Sequence, residues 1–86
     1  METYTAVVKS KVELVNLFKK QKYATEDGMY IKPDNIDVFF DIEMFRFCGK
    51  QIEVMDDNTE FDFFDMKNNW GWCKDWLVEN SIQEQN

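Results

Sequence analysis

The groups in this chain that could do chemistry are seventeen carboxylates, two thiols and three indoles, with no histidine among 86 residues. Paired carboxylates are the raw material of glycosidase-type acid–base work, which needs an acid and a base facing each other across a substrate cleft. Asp56-Asp57, Asp62 and Asp65 supply such pairs, but carboxylates are so abundant here that pairing singles out no site. Cys48 and Cys73 lack the histidine or neighbouring base that activates a thiol. The only serines, Ser10 and Ser81, fall at an expected helix cap and in an expected tail. Asp56-Asp57-Asn58-Thr59-Glu60 offers oxygen ligands without the glycine and spacing of a calcium loop. Two cysteines without histidine fall short of a tetrahedral zinc set. The residue types therefore point away from an enzyme, a metal centre or a cofactor site, and toward a surface that binds.

Charge gives that surface a first outline. Residues 34–65 hold ten acids and two bases, whereas residues 1–33 hold six lysines and four acids, and the whole chain is at −7. Such a balance opposes direct nucleic-acid binding, even with lysines clustered from Lys9 to Lys22. Asp37, Asp41, Glu43, Glu53, Asp56, Asp57, Glu60, Asp62 and Asp65 form the expected acidic face. Its plain reading is a solvated face that keeps an aromatic-rich chain dissolved. Its functional reading is a lure for a basic, nucleic-acid-binding protein. Carboxylates at i and i+2 of a strand are about 6–7 Å apart, close to the phosphate spacing along a nucleic-acid strand. An alternative surface is aromatic: Phe45, Trp72 and Trp76 could line a peptide groove. Trp70 and Trp72 share a strand face suited to a core, while Trp76, after the strand, is the indole expected to be most exposed.

The elements that position these groups follow from periodicity. Tyr4–Lys9 reads as a strand. Ser10 with Glu13 three residues on is a helix-start signature, and Leu14, Leu17 and Phe18 mark one face of a helix from Lys11 to Lys20 or Gln21. Ala24–Gly28 reads as a loop, Tyr30-Ile31 as a few strand residues, and Pro33-Asp34-Asn35 as a turn. A strand to Phe40 followed by one helical turn around Ile42–Phe45 satisfies two overlapping periodicities, and Gly49 reverses the chain. Gln51–Met55, Glu60–Met66 and Trp70–Cys73 then form a meander, with hairpin turns at 56–59 and 67–69. On the second strand Phe61 and Phe63 take one face, Phe64 and Met66 the other. Glu53, Glu60 and Asp62 are expected to project together from one sheet face.

The fold class expected is α+β: a small bent antiparallel β-barrel or sheet of four to five strands with one amino-terminal helix. Residues 1–80 make a single domain and residues 81–86 a frayed tail. The cysteines are expected to stay reduced. No apolar run reaches the 18–20 residues of a membrane span, so the chain reads as cytoplasmic and as a monomer or a homodimer.

Phe40, Met44, Cys48-Gly49-Lys50, Val54, Trp70, Trp72, Trp76 and Leu77 make the pattern FxxxMxxxCGKxxxV…WxWxxxWL. This pattern resembles small SH3-like barrel domains common in phage and prophage proteins. The resemblance covers residues 36–78. It implies a curled barrel and a phage context. Small acidic phage proteins include inhibitors of host defence, anti-CRISPR and anti-restriction proteins among them.

Overall fold

In a computed structural model, which describes residues 2–26, 29–32, 35–57 and 59–85, the chain forms two antiparallel sheets and one α-helix. Strand β1 (Thr3–Val7) leads into helix α1 (Lys11–Lys20). The Ser10 hydroxyl accepts from the Glu13 amide at 3.2 Å and donates to the Glu13 carboxylate at 3.0 Å, so the expected cap forms. Leu14 and Phe18 are buried on its inner face, while Val12 stays 71% exposed.

The next strands are β2 (Ala24–Glu26), β3 (Met29–Lys32) and β4 (Asn35–Asp41), which pair in that order as a three-stranded sheet. Ala24–Glu26 was expected to be loop; its backbone instead pairs with Met29–Ile31. The turn expected at Pro33-Asp34 and the turn point Gly28 lie outside the described residues. Asp41 closes β4 and accepts from the Glu43 amide at 2.9 Å, opening a 3-10 turn over Ile42–Phe47. That is the strand-then-turn expected here. Gly49, at φ +75, then reverses the chain in a conformation that side chains rarely adopt.

Strands β5 (Gln51–Asp56), β6 (Phe63–Asp65) and β7 (Trp70–Trp72) form the expected meander, and β1 pairs along the free side of β5. A second 3-10 turn, Lys74–Trp76, follows. Ser81–Gln85, expected to fray, instead continues the sheet: Gln83–Gln85 is strand β8, antiparallel to β1. Ser81 makes that join. Its hydroxyl accepts from the Val7 amide at 3.0 Å and donates to the Val78 carbonyl at 2.7 Å, standing in for a missing backbone partner. The larger sheet runs β7-β6-β5-β1-β8. It is open at both edges, so the closed barrel expected from the curled meander does not form. With two sheets the covering is done by a second layer rather than by closure.

The core is an aromatic wedge between the sheets. Phe40 of β4 lies 5.1 Å from Phe18 of α1, 5.1 Å from Trp76 and 6.0 Å from Trp72, centroid to centroid. Ala6, Ile52, Val54 and Phe63 form its floor on the larger sheet. Trp76 is tied in by backbone as well: its carbonyl accepts from the Lys9 amide, and Leu77 bridges to Val8.

Candidate functional site

The pairing register decides where each acid goes. On β1 and its neighbours, Tyr4 stands between Val54 and Glu84, and Thr5 between Glu53 and Gln83. Odd positions of β1 therefore share the outer sheet face with Glu53, and even positions share the inner face with Glu84 and Asp56. The inner face is buried over Ala6 and Val54 but exposed at Asp56 and Glu84. At that end Tyr4 donates to Glu2 at 2.8 Å and lies 3.4 Å from Asp56. Carboxylates from β1's start, β5 and β8 thus gather round one phenol. Its hydrogen bond to Glu2, some burial and the charges of Asp56, Glu2 and Glu84 push the Tyr4 pKa up to about 12. Glu2 and Glu84 were not among the acids expected to act, because only the β1–β8 pairing brings them here.

A tyrosine titration checks this geometry. One of the three phenols should ionise about two pH units above the ordinary value of 10, followed by absorbance near 295 nm, and the late step should vanish in Y4F. Because the folded pKa is the higher one, the contribution of Tyr4 to stability is complete below about pH 10 and fades as pH climbs toward 12.

The other expected acids scatter. Glu53 lies on the outer face of the larger sheet. Glu60 and Asp62 precede the short β6, so they do not join Glu53 on one face. They border a groove of about 530 Å³ with Lys22, Lys32, Cys73 and Asp75. Asp62 there accepts from the Lys74 amide at 2.6 Å. Asp57 accepts from the Thr59 hydroxyl, and Asp41 caps the 3-10 turn that also carries Glu43. Asp37 is exposed on β4.

Asp65 is a correction. It is 1% exposed, not part of a surface. The alternation that turns Phe63 inward turns Asp65 inward too, beside Val54. Its carboxylate is satisfied locally, accepting from the Asn68 amide at 3.1 Å and from Asn68 Nδ2 at 2.8 Å, which fixes the turn into β7. Asp65→Ala should lower stability by about 1–2 kcal/mol, since it strands both Asn68 donors, while Asp65→Asn should lose less. Urea unfolding of the two variants measures the difference.

The aromatic groove is the second correction. Trp72 and Trp76 are both 0% exposed. Trp76, expected to be the exposed indole, is ringed by Phe18, Phe40, Phe61 and Trp72. Neither indole N–H has a hydrogen-bond acceptor among the described residues. Phe45 is half-buried, 4.8 Å from Phe40, with the Lys11 ammonium 5.3 Å over its ring.

Both cysteines are free and half-buried. Burial pushes the Cys73 pKa to about 12, with Asp62 and Asp75 raising it and Lys32 opposing them, so its thiol stays protonated near neutrality. Burial raises Cys48 as well, against the pull of Lys11. Among the described residues no three side chains of the metal-ligating types group to hold an ion. None of their helices is long and apolar enough to cross a membrane. No family model, no curated protein and no solved structure matches this chain.

Proposed function

We propose that this chain is a small acidic protein-interaction module, phage-encoded, that inhibits or regulates a nucleic-acid-handling protein by occluding its basic surface in the cytoplasm. The observation that carries the reading is the set of Glu2, Asp56 and Glu84 around Tyr4. Asp56 and Glu84 stand on β5 and β8, held in place by pairing with their neighbours, Glu2 immediately precedes β1 and is tied in by Tyr4, and all three face solvent. Strand spacings of about 4.8 Å across a sheet and about 6.8 Å from i to i+2 put such groups at distances a phosphate-reading surface meets in its ordinary ligand. An overall charge of −7 adds a long-range pull on a basic partner. The kinship with SH3-like phage domains belongs to this reading and rests on the residue pattern from Phe40 to Leu77. The alternative, an SH3-like peptide-binding or assembly module, keeps only Phe45 at a partly open surface.

The test is affinity capture from a bacterial lysate with the intact chain and with E2Q/D56N/E84Q. The reading expects basic, nucleic-acid-handling proteins on the intact chain. They should be released when salt rises from about 50 to about 500 mM, because screening shortens the reach of surface charge. Competing duplex DNA should release them too, and the triple variant should capture about tenfold less. Capture that ignores salt, DNA and the triple substitution sinks it.

A further inference from the structure

The outer face of the larger sheet is a broad surface that the acidic reading leaves unused. The register aligns Gln85, Thr3, Met55, Phe64 and Gly71 in a single row across all five strands, with the Phe61 ring lying over its Gly71 end. Met55 and Phe64 are half-buried yet take no part in the core cluster. Met66, two residues past Phe64 and just beyond the end of β6, is 67% exposed. Thr3, Met55, Phe64 and Met66 border a shallow depression of about 220 Å³, with Glu53 and Lys67 at its rim. In a chain with 31% charged residues, this face carries those two rim charges, one of each sign, and otherwise mainly Thr, Gln, Met and Phe.

We propose that this face is the interface of a homodimer, with a second copy of the chain seated on it about a two-fold axis through the depression. Two copies each carrying −7 repel wherever their acidic surfaces meet. On this face a two-fold axis instead sets Glu53 of each copy against Lys67 of the other, and Met66 of each against the row of Met55 and Phe64. One patch supplies both halves of the match, as an isologous contact requires. Methionine suits such a seam because its unbranched, polarizable side chain adapts to the surface it meets. The four strands left uncovered, about 4.8 Å apart and three to six residues long, offer on the order of 300 Å² per copy. Two such faces bury under about 1,200 Å², the range of weak and transient association. The dimer is therefore concentration-dependent. It leaves the carboxylates around Tyr4, on the opposite sheet face, open to solvent. The inference is independent of the proposed partner.

Sedimentation equilibrium of the intact chain across a wide concentration range tests it. The expected result is a reversible monomer–dimer equilibrium that M66E abolishes. E53K and K67E should each raise the dissociation constant about tenfold, because each replaces two attractive rim pairs with two repulsive ones. An equimolar mixture of E53K and K67E should re-associate to at least the original strength, since every rim pair is then opposite in sign. Both sites are exposed, and circular dichroism of each variant confirms that folding is retained. A chain that stays monomeric at every concentration overturns the proposal. So does a dimer unaffected by all three substitutions, or a mixture that fails to re-associate.

Discussion

Trp76→Ala is expected to remove a large share of the stability of the fold, about 3–5 kcal/mol. The indole is fully buried and meets four other aromatic rings at centroid distances of 5.1–6.3 Å. Truncating a buried tryptophan to alanine costs about 3–5 kcal/mol, because the lost transfer energy adds to an unfilled cavity. A chain of this length commands roughly 0.05–0.15 kcal/mol per residue, so on the order of 4–13 kcal/mol in all. The loss takes a large share of that sum, and the neighbours cannot collapse to recover it. Phe18 is held by α1 and Phe40 by β4, and their backbones are fixed by their own pairing. Trp76→Phe should lose less, since it keeps a ring in place and removes an N–H that has no acceptor among the described residues. Urea unfolding followed by circular dichroism measures both. Equal losses for the two variants would contradict the cavity argument.

Gly71→Ala is expected to cost about 2–3 kcal/mol, far more than an ordinary glycine-to-alanine change in a strand. A Cβ at Gly71 would sit 2.5 Å from Phe61 Cγ and 2.6–2.8 Å from its two Cδ atoms. Those atoms are the root of the ring and cannot swing aside without moving the whole side chain. Phe61 in turn lies 6.0 Å from Trp76 and 6.5 Å from Phe39, so displacing it loosens the wedge. Overpacking of this kind typically costs 1–3 kcal/mol. The partner variant Phe61→Leu gives the check. If the clash is the cause, Gly71→Ala should cost much less in the Phe61→Leu background than in the intact chain, a coupling visible in a double-mutant cycle.

The features readable from sequence were those with local signals. Ser10 and Glu13 announced α1, the overlap of two periodicities around Phe40 announced a strand followed by a turn, and the alternating Phe and Trp residues announced the meander. Parity also turned Phe63 and Asp65 to the same side, so the burial of Asp65 was legible. Residue type argued the other way, and parity won because Asn68 supplies two donors nearby. What was not legible depends on contacts between distant parts of the chain. Nothing in Ser81–Gln85 alternates in hydropathy; it becomes a strand because β1 offers a free edge about eighty positions earlier. The same pairing creates the acidic site, by carrying Glu84 to Tyr4. Trp76 looked exposed because it follows the last apolar strand. Its burial comes from the bridge between Leu77 and Val8, which folds the second 3-10 turn back over the core.

The partnership of β1 with β8 also determines how the molecule answers to mechanical force. Thr3 stands opposite Gln85, so a load pulling the two extremities apart acts at the outer end of one antiparallel ladder. The hydrogen bonds there lie across the strands and meet the tension one pair at a time, like the teeth of a zipper. Only after Gln85, Glu84 and Gln83 have peeled away does the strain reach the Ser81 link and then the aromatic wedge. The chain should therefore yield to stretching at low force and in order, carboxyl strand first, and a single-molecule extension trace should show that early step ahead of the main rupture.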